Sequence, residues 1–244
     1  MRLALAHARA ETVSLARYTG YSVPTVAFPA VMLLLFGSHF ERGEPDRLLA
    51  GFAATALLTV AFFQFGVGIA TNRATPWEAY LRTLPVGPAT RLAGRVISAL
   101  AFATTTVAAV ALVAFAVYDV RMAPWRALAL GVALLVGSIP FALLGIAFGY
   151  WLPPRAALPM ANLLYLPLAD GGFLWTRPTE DVPRDVDVAS QLLPTRSWME
   201  VLDPVATGDH PVPLHHVAAL TAWGVVFFGL AWWGYRRDEG ERFT

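Results

Sequence analysis

Residues Leu49–Thr71 read LAGFAATALLTVAFFQFGVGIAT, and Asn72–Pro88 continue NRATPWEAYLRTLPVGP. The first stretch is 23 residues without Arg, Asp or Glu. A helix crosses a bilayer with about 20 predominantly apolar residues. The run does not alternate with period two, as a membrane-barrel strand must. It therefore reads as a transmembrane helix, and the proline-punctuated stretch after it reads as a structured loop.

Working outward, the same signature recurs. Tyr18–Phe40, Val96–Tyr118 and Ala127–Leu152 are long apolar runs, and Leu214–Tyr235 closes the set with His215 and His216 at its mouth. Ala156–Trp175 is the weakest run, interrupted by Pro159, Pro167 and Gly171-Gly172. The expectation is one all-α integral membrane domain over residues 1–244. It has a short arm at 1–17 and six spans near 18–40, 49–71, 96–118, 127–152, 156–175 and 214–235. The first run is too long for the apolar core of a secretion signal and lacks a clear cleavage site.

Composition supports this reading. Apolar residues make up 57% of 244, charged residues 14%, and mean hydropathy is +0.54. A soluble domain carries about 25% charged residues, so this chain lacks the polar surface to cover a globule in water. Disorder is excluded by the same figures. Cysteine is absent, which removes disulfides and thiolate metal sites. All 18 basic residues are arginine. A P-loop needs its lysine, so a standard P-loop ATPase cannot reside in this chain. A net charge of +1 does not suggest nucleic acid.

Six spans place both termini on one side. Eleven arginines fall there and seven on the other; five acids fall there and twelve on the other. The positive-inside rule puts the termini in the cytoplasm. The expected location is the bacterial inner membrane, the arginine-only usage hinting at a GC-rich bacterial genome.

Little in the chain looks like a reaction centre. No HExxH or G-x-S-x-G motif occurs, and Gly66-Val67-Gly68 lacks the third glycine of a dinucleotide loop. Asp209-His210 with His215-His216 reads as a polar collar before a helix rather than a metal site. No catalytic, cofactor or metal residue is expected. Polar candidates inside spans are Gln64, Asn162 and Thr104-Thr105-Thr106, either interhelical hydrogen-bond partners or substrate ligands. Gly145 and Gly149 fit G-x-x-x-G, by chance or because two helices approach closely there. Ion-coupled carriers need ionisable groups in mid-membrane. Their scarcity points to energy from elsewhere.

Two polar segments stand out. In the first, Thr75 can cap a helix opening with Pro76. Glu78 suits its positive end and pairs with Arg82 four residues on; Pro85 stops it. Trp77, Tyr80, Leu81 and Leu84 project from this short helix, either to dock a partner or to anchor it at the lipid interface. In the second, Val186, Ala189, Leu192 and Leu193 share one helical face, and Trp198, Val201 and Leu202 a second beyond Pro194. Asp203-Pro204 is expected to end that helix. Such helices cannot span, so they lie on or dip into the outer leaflet.

The arrangement resembles the membrane subunit of type-2 ABC exporters, the ABC-2 permease family. The loop pattern R-x-x-x-W-x-x-x-L-R-x-x-P is carried by Arg73, Trp77, Leu81, Arg82 and Pro85. Tyr165–Leu168 through Leu192–Thr195 resembles that family's fifth span and re-entrant outer helices. The resemblance implies a coupling helix at Arg73, Trp77, Glu78, Tyr80, Leu81, Arg82 and Pro85. It implies an N-terminal interface helix, although Leu3, Leu5, Val13 and Leu15 spread around the helical wheel. A separate ABC ATPase subunit would bind the ATP and Mg. A second permease copy, identical or paralogous, would complete the exporter within the membrane lipid. Spans two and five would line the interface between copies, making Gln64 and Asn162 pathway candidates. The rival readings are an ion- or proton-coupled secondary carrier and a membrane assembly factor without a transport role.

Overall fold

Among the described residues proline opens five helices, where its missing N–H costs nothing and its fixed φ suits the first turn. The computed structural model describes residues 2–17, 19–40, 44–76, 88–177 and 182–240. Among these residues every regular element is helical. In chain order they are α1 (Arg2–Arg17), α2 (Thr19–Phe40), α3 (Pro45–Arg73), α4 (Pro88–Val117), α5 (Pro124–Trp151), α6 (Pro154–Gly171), α7 (Arg184–Gln191), α8 (Pro194–Thr207) and α9 (Leu214–Gly240). The middle of α3, Val60–Val67, is π-helical. Helix α5 breaks at Ser138, ahead of Pro140, into Pro124–Gly137 and Ile139–Trp151.

Among the described residues four helices are long and apolar enough to cross a membrane: Pro45–Arg73, Gly94–Val117, Pro124–Trp151 and Leu214–Asp238. The other two expected spans are helical as well. Helix α2 contains the apolar stretch Thr25–His39, and α6 is more polar, carrying Arg155, Asn162 and Asp170 within 18 residues. The boundaries also move. Helix α3 starts at Pro45 rather than Leu49 and so carries Arg47; α4 starts at Pro88 rather than Val96.

Helix α3 is the axis of the bundle, buried along almost its whole length. Helices α2, α4, α5, α6 and α8 pack around it, and α9 packs on the second half of α5. Small residues let α3 and α5 close up. A Cβ at Gly145 would collide with the Ala61 carbonyl, one at Gly149 with Ile69, and one at Gly66 with Phe148. The G-x-x-x-G pattern is thus a real close approach.

Helix α8 corrects one expectation. It does not stop at Asp203-Pro204 but runs on to Thr207, with Pro204 inside it. Trp198 is wholly buried and stacks on Phe141 with ring centroids 4.8 Å apart. Gly208 ends the helix at φ +78°, its N–H bonding the Pro204 carbonyl at 2.9 Å. Arg126 of α5 donates to the Thr207 carbonyl at 2.8 Å. Helix α7, by contrast, leaves Val186 and Val188 exposed, as is Leu192 just beyond its end.

Candidate functional site

The last turn of α3 ends at Arg73, directly before the loop singled out in the sequence. Its guanidinium turns into the bundle instead of facing outward. Nη1 pairs with Asp238 Oδ1 of α9 at 2.6 Å and donates to the Tyr150 carbonyl of α5 at 3.1 Å. Nη2 reaches the Leu152 carbonyl at 3.4 Å, and the group lies 5.5 Å over the Tyr150 ring. Both charges are largely buried. Arg73 therefore gathers the ends of three helices. Beyond it, Thr75 donates its hydroxyl to the Asn72 carbonyl at 2.7 Å, and Pro76 is helical. Trp77, Glu78, Tyr80, Leu81, Arg82 and Pro85 lie outside the described residues.

At the opposite end of α3 sits a second charged cluster that the sequence reading missed. Arg47 Nη1 pairs with Asp203 Oδ2 of α8 at 3.0 Å, and both are buried. Its Nη2 donates to the Phe173 and Thr176 carbonyls at 3.1 and 2.7 Å. Arg177 joins by bridging Asp203 at 3.2 Å and Glu44 at 2.5 Å. Burial pushes the Asp203 carboxyl above the usual carboxylate range, while Arg47 and Arg177 pull against it. The only sequence signal was an arginine two residues ahead of an apolar run and an acid before a proline. Neither says that they meet.

Gln64 and Asn162 have different surroundings. Gln64 lies in the π-helical stretch, where an inserted residue re-aims side chains. It is buried against α4, its Nε2 donating to Ser98 Oγ at 3.3 Å, while its Oε1 has no partner among the described residues. Asn162 is exposed on α6 and donates to the Leu158 carbonyl at 3.1 Å. The two are not brought together. A polar seam ties α6 and the segment after it to α3: the Tyr165 and Thr59 hydroxyls share a hydrogen bond at 3.1 Å, and Trp175 Nε1, beyond the end of α6, donates to Thr55 Oγ1 at 2.8 Å.

The outward face of α6 carries Arg155, Leu158, Asn162, Leu163, Leu166 and Asp170. Thr104, Thr105 and Thr106 each spend their hydroxyl hydrogen on their own helix, at the carbonyl four residues back. His216 Nδ1 lies 3.4 Å from Ser197 Oγ. Among the described residues no group of histidine and acid side chains is arranged to hold a metal.

The comparisons with known proteins agree with this membrane architecture. Residues 40–233 match the model of the ABC-2 family transporter proteins. The chain is also similar to a protein of Bacillus subtilis (strain 168) named transport permease YvfS. The identity is 21% over 221 residues, covering 88% of this chain and 89% of that one. This multi-pass helical membrane chain, matched over most of its length, belongs to the ABC-2 family of membrane transport permeases.

Proposed function

We propose that this chain is the membrane-spanning subunit of an ATP-driven exporter, energised by a separate ABC ATPase subunit and working as two paired copies. ABC-2 permeases generally work with such a subunit. The observation that carries the reading is the course of α3. It runs as the buried axis from the Arg47–Asp203 pair to the Arg73–Asp238 pair, and its direct continuation is the loop at 74–87. Force applied to that loop acts on the core helix itself.

Charge placement favours this over ion coupling. Among the described residues the buried charged groups are Arg47, Asp203 and Asp238, at the two ends of the bundle. The reading takes all six runs as spans, with α2 and α6 completed by partners. The exposed amide of Asn162 supports pairing, because a polar group facing hydrocarbon is costly unless another helix covers it. Both termini lie in the cytoplasm by the arginine asymmetry, α7 rests at the outer leaflet, and the chain itself has no ATP site.

Co-purification in mild detergent tests the reading. An ABC ATPase is expected to accompany the permease, and its hydrolysis in proteoliposomes is expected to drive substrate outward. A permease that moves substrate with a proton or sodium gradient and no ATPase would overturn it.

A further inference from the structure

We propose that Arg73 and Asp238 form the joint through which the loop after α3 moves α9 and α5, which makes both positioning residues for coupled transport. The inference rests on the exporter reading.

Three features of the inner junction point this way. First, there is no slack between Arg73 and the loop. The Ala74 and Thr75 N–H groups bond the Thr71 and Asn72 carbonyls at 3.2 and 3.0 Å, so the chain leaves α3 through a tight turn. A displacement beginning at Pro76 reaches Arg73 rather than dissipating in a flexible link.

Second, Asp238 is a poor choice for its position unless it serves a partner. It lies in the last turn of α9, where the helix dipole disfavours an acid. It is nevertheless buried, with Arg73 2.6 Å away. Separating two buried opposite charges is costly. The ends of α3 and α9 are therefore held to move together.

Third, α9 and α5 are laced to each other at the same level. The Tyr150 and Tyr235 rings meet edge-on at 5.5 Å, and those of Trp151 and Trp233 at 4.4 Å. Trp151 Nε1 donates to the Leu230 carbonyl at 3.1 Å, and Arg237 lies 5.7 Å over the Trp151 ring. Arg73 adds its bond to the Tyr150 carbonyl. One guanidinium thus connects the end of the core helix to a pre-assembled pair of helices.

The test is the substrate transported per ATP hydrolysed by the reconstituted permease–ATPase complex. Arg73→Gln and Asp238→Asn are each expected to lower this ratio roughly tenfold, the size of an ordinary coupling between sites. The double variant should lose no more than the worse single one, because the two residues act as a unit. A pair that only stabilises the fold would reduce the amount of complex but leave the ratio at its wild-type value, and that result overturns the joint. A second arm is independent of variant stability. Arg73→Cys with Asp238→Cys, in a chain with no native cysteine, is bridged by a thiol-reactive linker of side-chain length. Bridging should raise the ratio above that of the unbridged double variant; no rise overturns the joint. If no ATPase accompanies the wild-type permease, the exporter reading falls and takes the joint with it. If the wild type couples and the variants couple equally well, only the joint falls.

Discussion

Arg47 and Asp203, 156 residues apart in the chain, meet as a buried ion pair at 3.0 Å between the start of α3 and the second half of α8. The pair holds α8 inside the bundle, and Arg47 also ties down the Phe173 and Thr176 carbonyls. Removing Asp203 leaves the Arg47 guanidinium buried without its counter-charge, a loss of about 3–5 kcal/mol, whereas removing both is far milder. Asp203→Leu is therefore expected to lower the thermal unfolding midpoint in detergent more than Arg47→Met/Asp203→Leu does. A double variant that sums the two single losses would show that the charges act separately.

Packing of α8 against α5 gives a second expectation. A Cβ at Gly137 would collide with the indole nitrogen of Trp198. Gly137→Ala should destabilise by about 1–3 kcal/mol, as overpacking does. Trp198→Phe removes the indole nitrogen, the nearer of the two colliding atoms, and should recover part of the loss in the double variant. Differential scanning fluorimetry of the three proteins checks this, and additive losses would contradict it.

Topology is open to direct labelling, because the chain has no native cysteine. The arginine asymmetry predicts that Asp187→Cys and Asp209→Cys react with an impermeant maleimide from outside, and Thr75→Cys only after permeabilisation. Labelling of Asp187→Cys from the cytoplasmic face alone would invert the arrangement.

Trp77 is the aromatic anchor of the loop pattern. If the loop docks into an ATPase, Trp77→Ala should leave membrane insertion intact. It should weaken the partner by about 2 kcal/mol or more, the scale of a central buried aromatic. Pull-down of the ATPase with hydrolysis measured alongside transport reads both effects. Wild-type affinity and coupling would leave Trp77 as a residue of the membrane surface.

Asn162 and Gln64 should part company experimentally. Asn162→Leu is expected to weaken pairing between two differently tagged copies. Gln64→Leu, which replaces a buried amide bonded to Ser98, should leave pairing unchanged. Equal loss of pairing in both variants would argue against α6 as the contact between copies.

Much of the bundle was legible because a membrane helix announces itself locally. Leu49–Thr71 must satisfy its backbone within its own segment, since hydrocarbon offers no hydrogen bonds. Its length and apolarity alone therefore specify a helix. The same holds for Val96–Tyr118, Ala127–Leu152 and Leu214–Tyr235. Pro194 correctly separated α7 from α8. Pro204 misled, because a proline within a buried helix is tolerated when neighbours re-satisfy the freed carbonyl. The local signal is weakest at α6, where Arg155, Asn162 and Asp170 dilute apolarity and their purpose depends on what covers them.

The sequence by itself determined an all-helical membrane chain, where its long apolar helices run, which loop follows the second span and which end is richer in arginine. These are properties of contiguous residues and of the solvent they require. Only the tertiary structure decided that Arg47 is buried rather than solvated, that Arg73 turns inward to Asp238, that Trp198 fills the core against Gly137, and that Gln64 and Asn162 have different neighbours. Each of those outcomes depends on which helices come side by side. A guanidinium or an indole goes wherever a partner relieves its desolvation, and here the partners lie 156 and 165 residues away from Arg47 and Arg73.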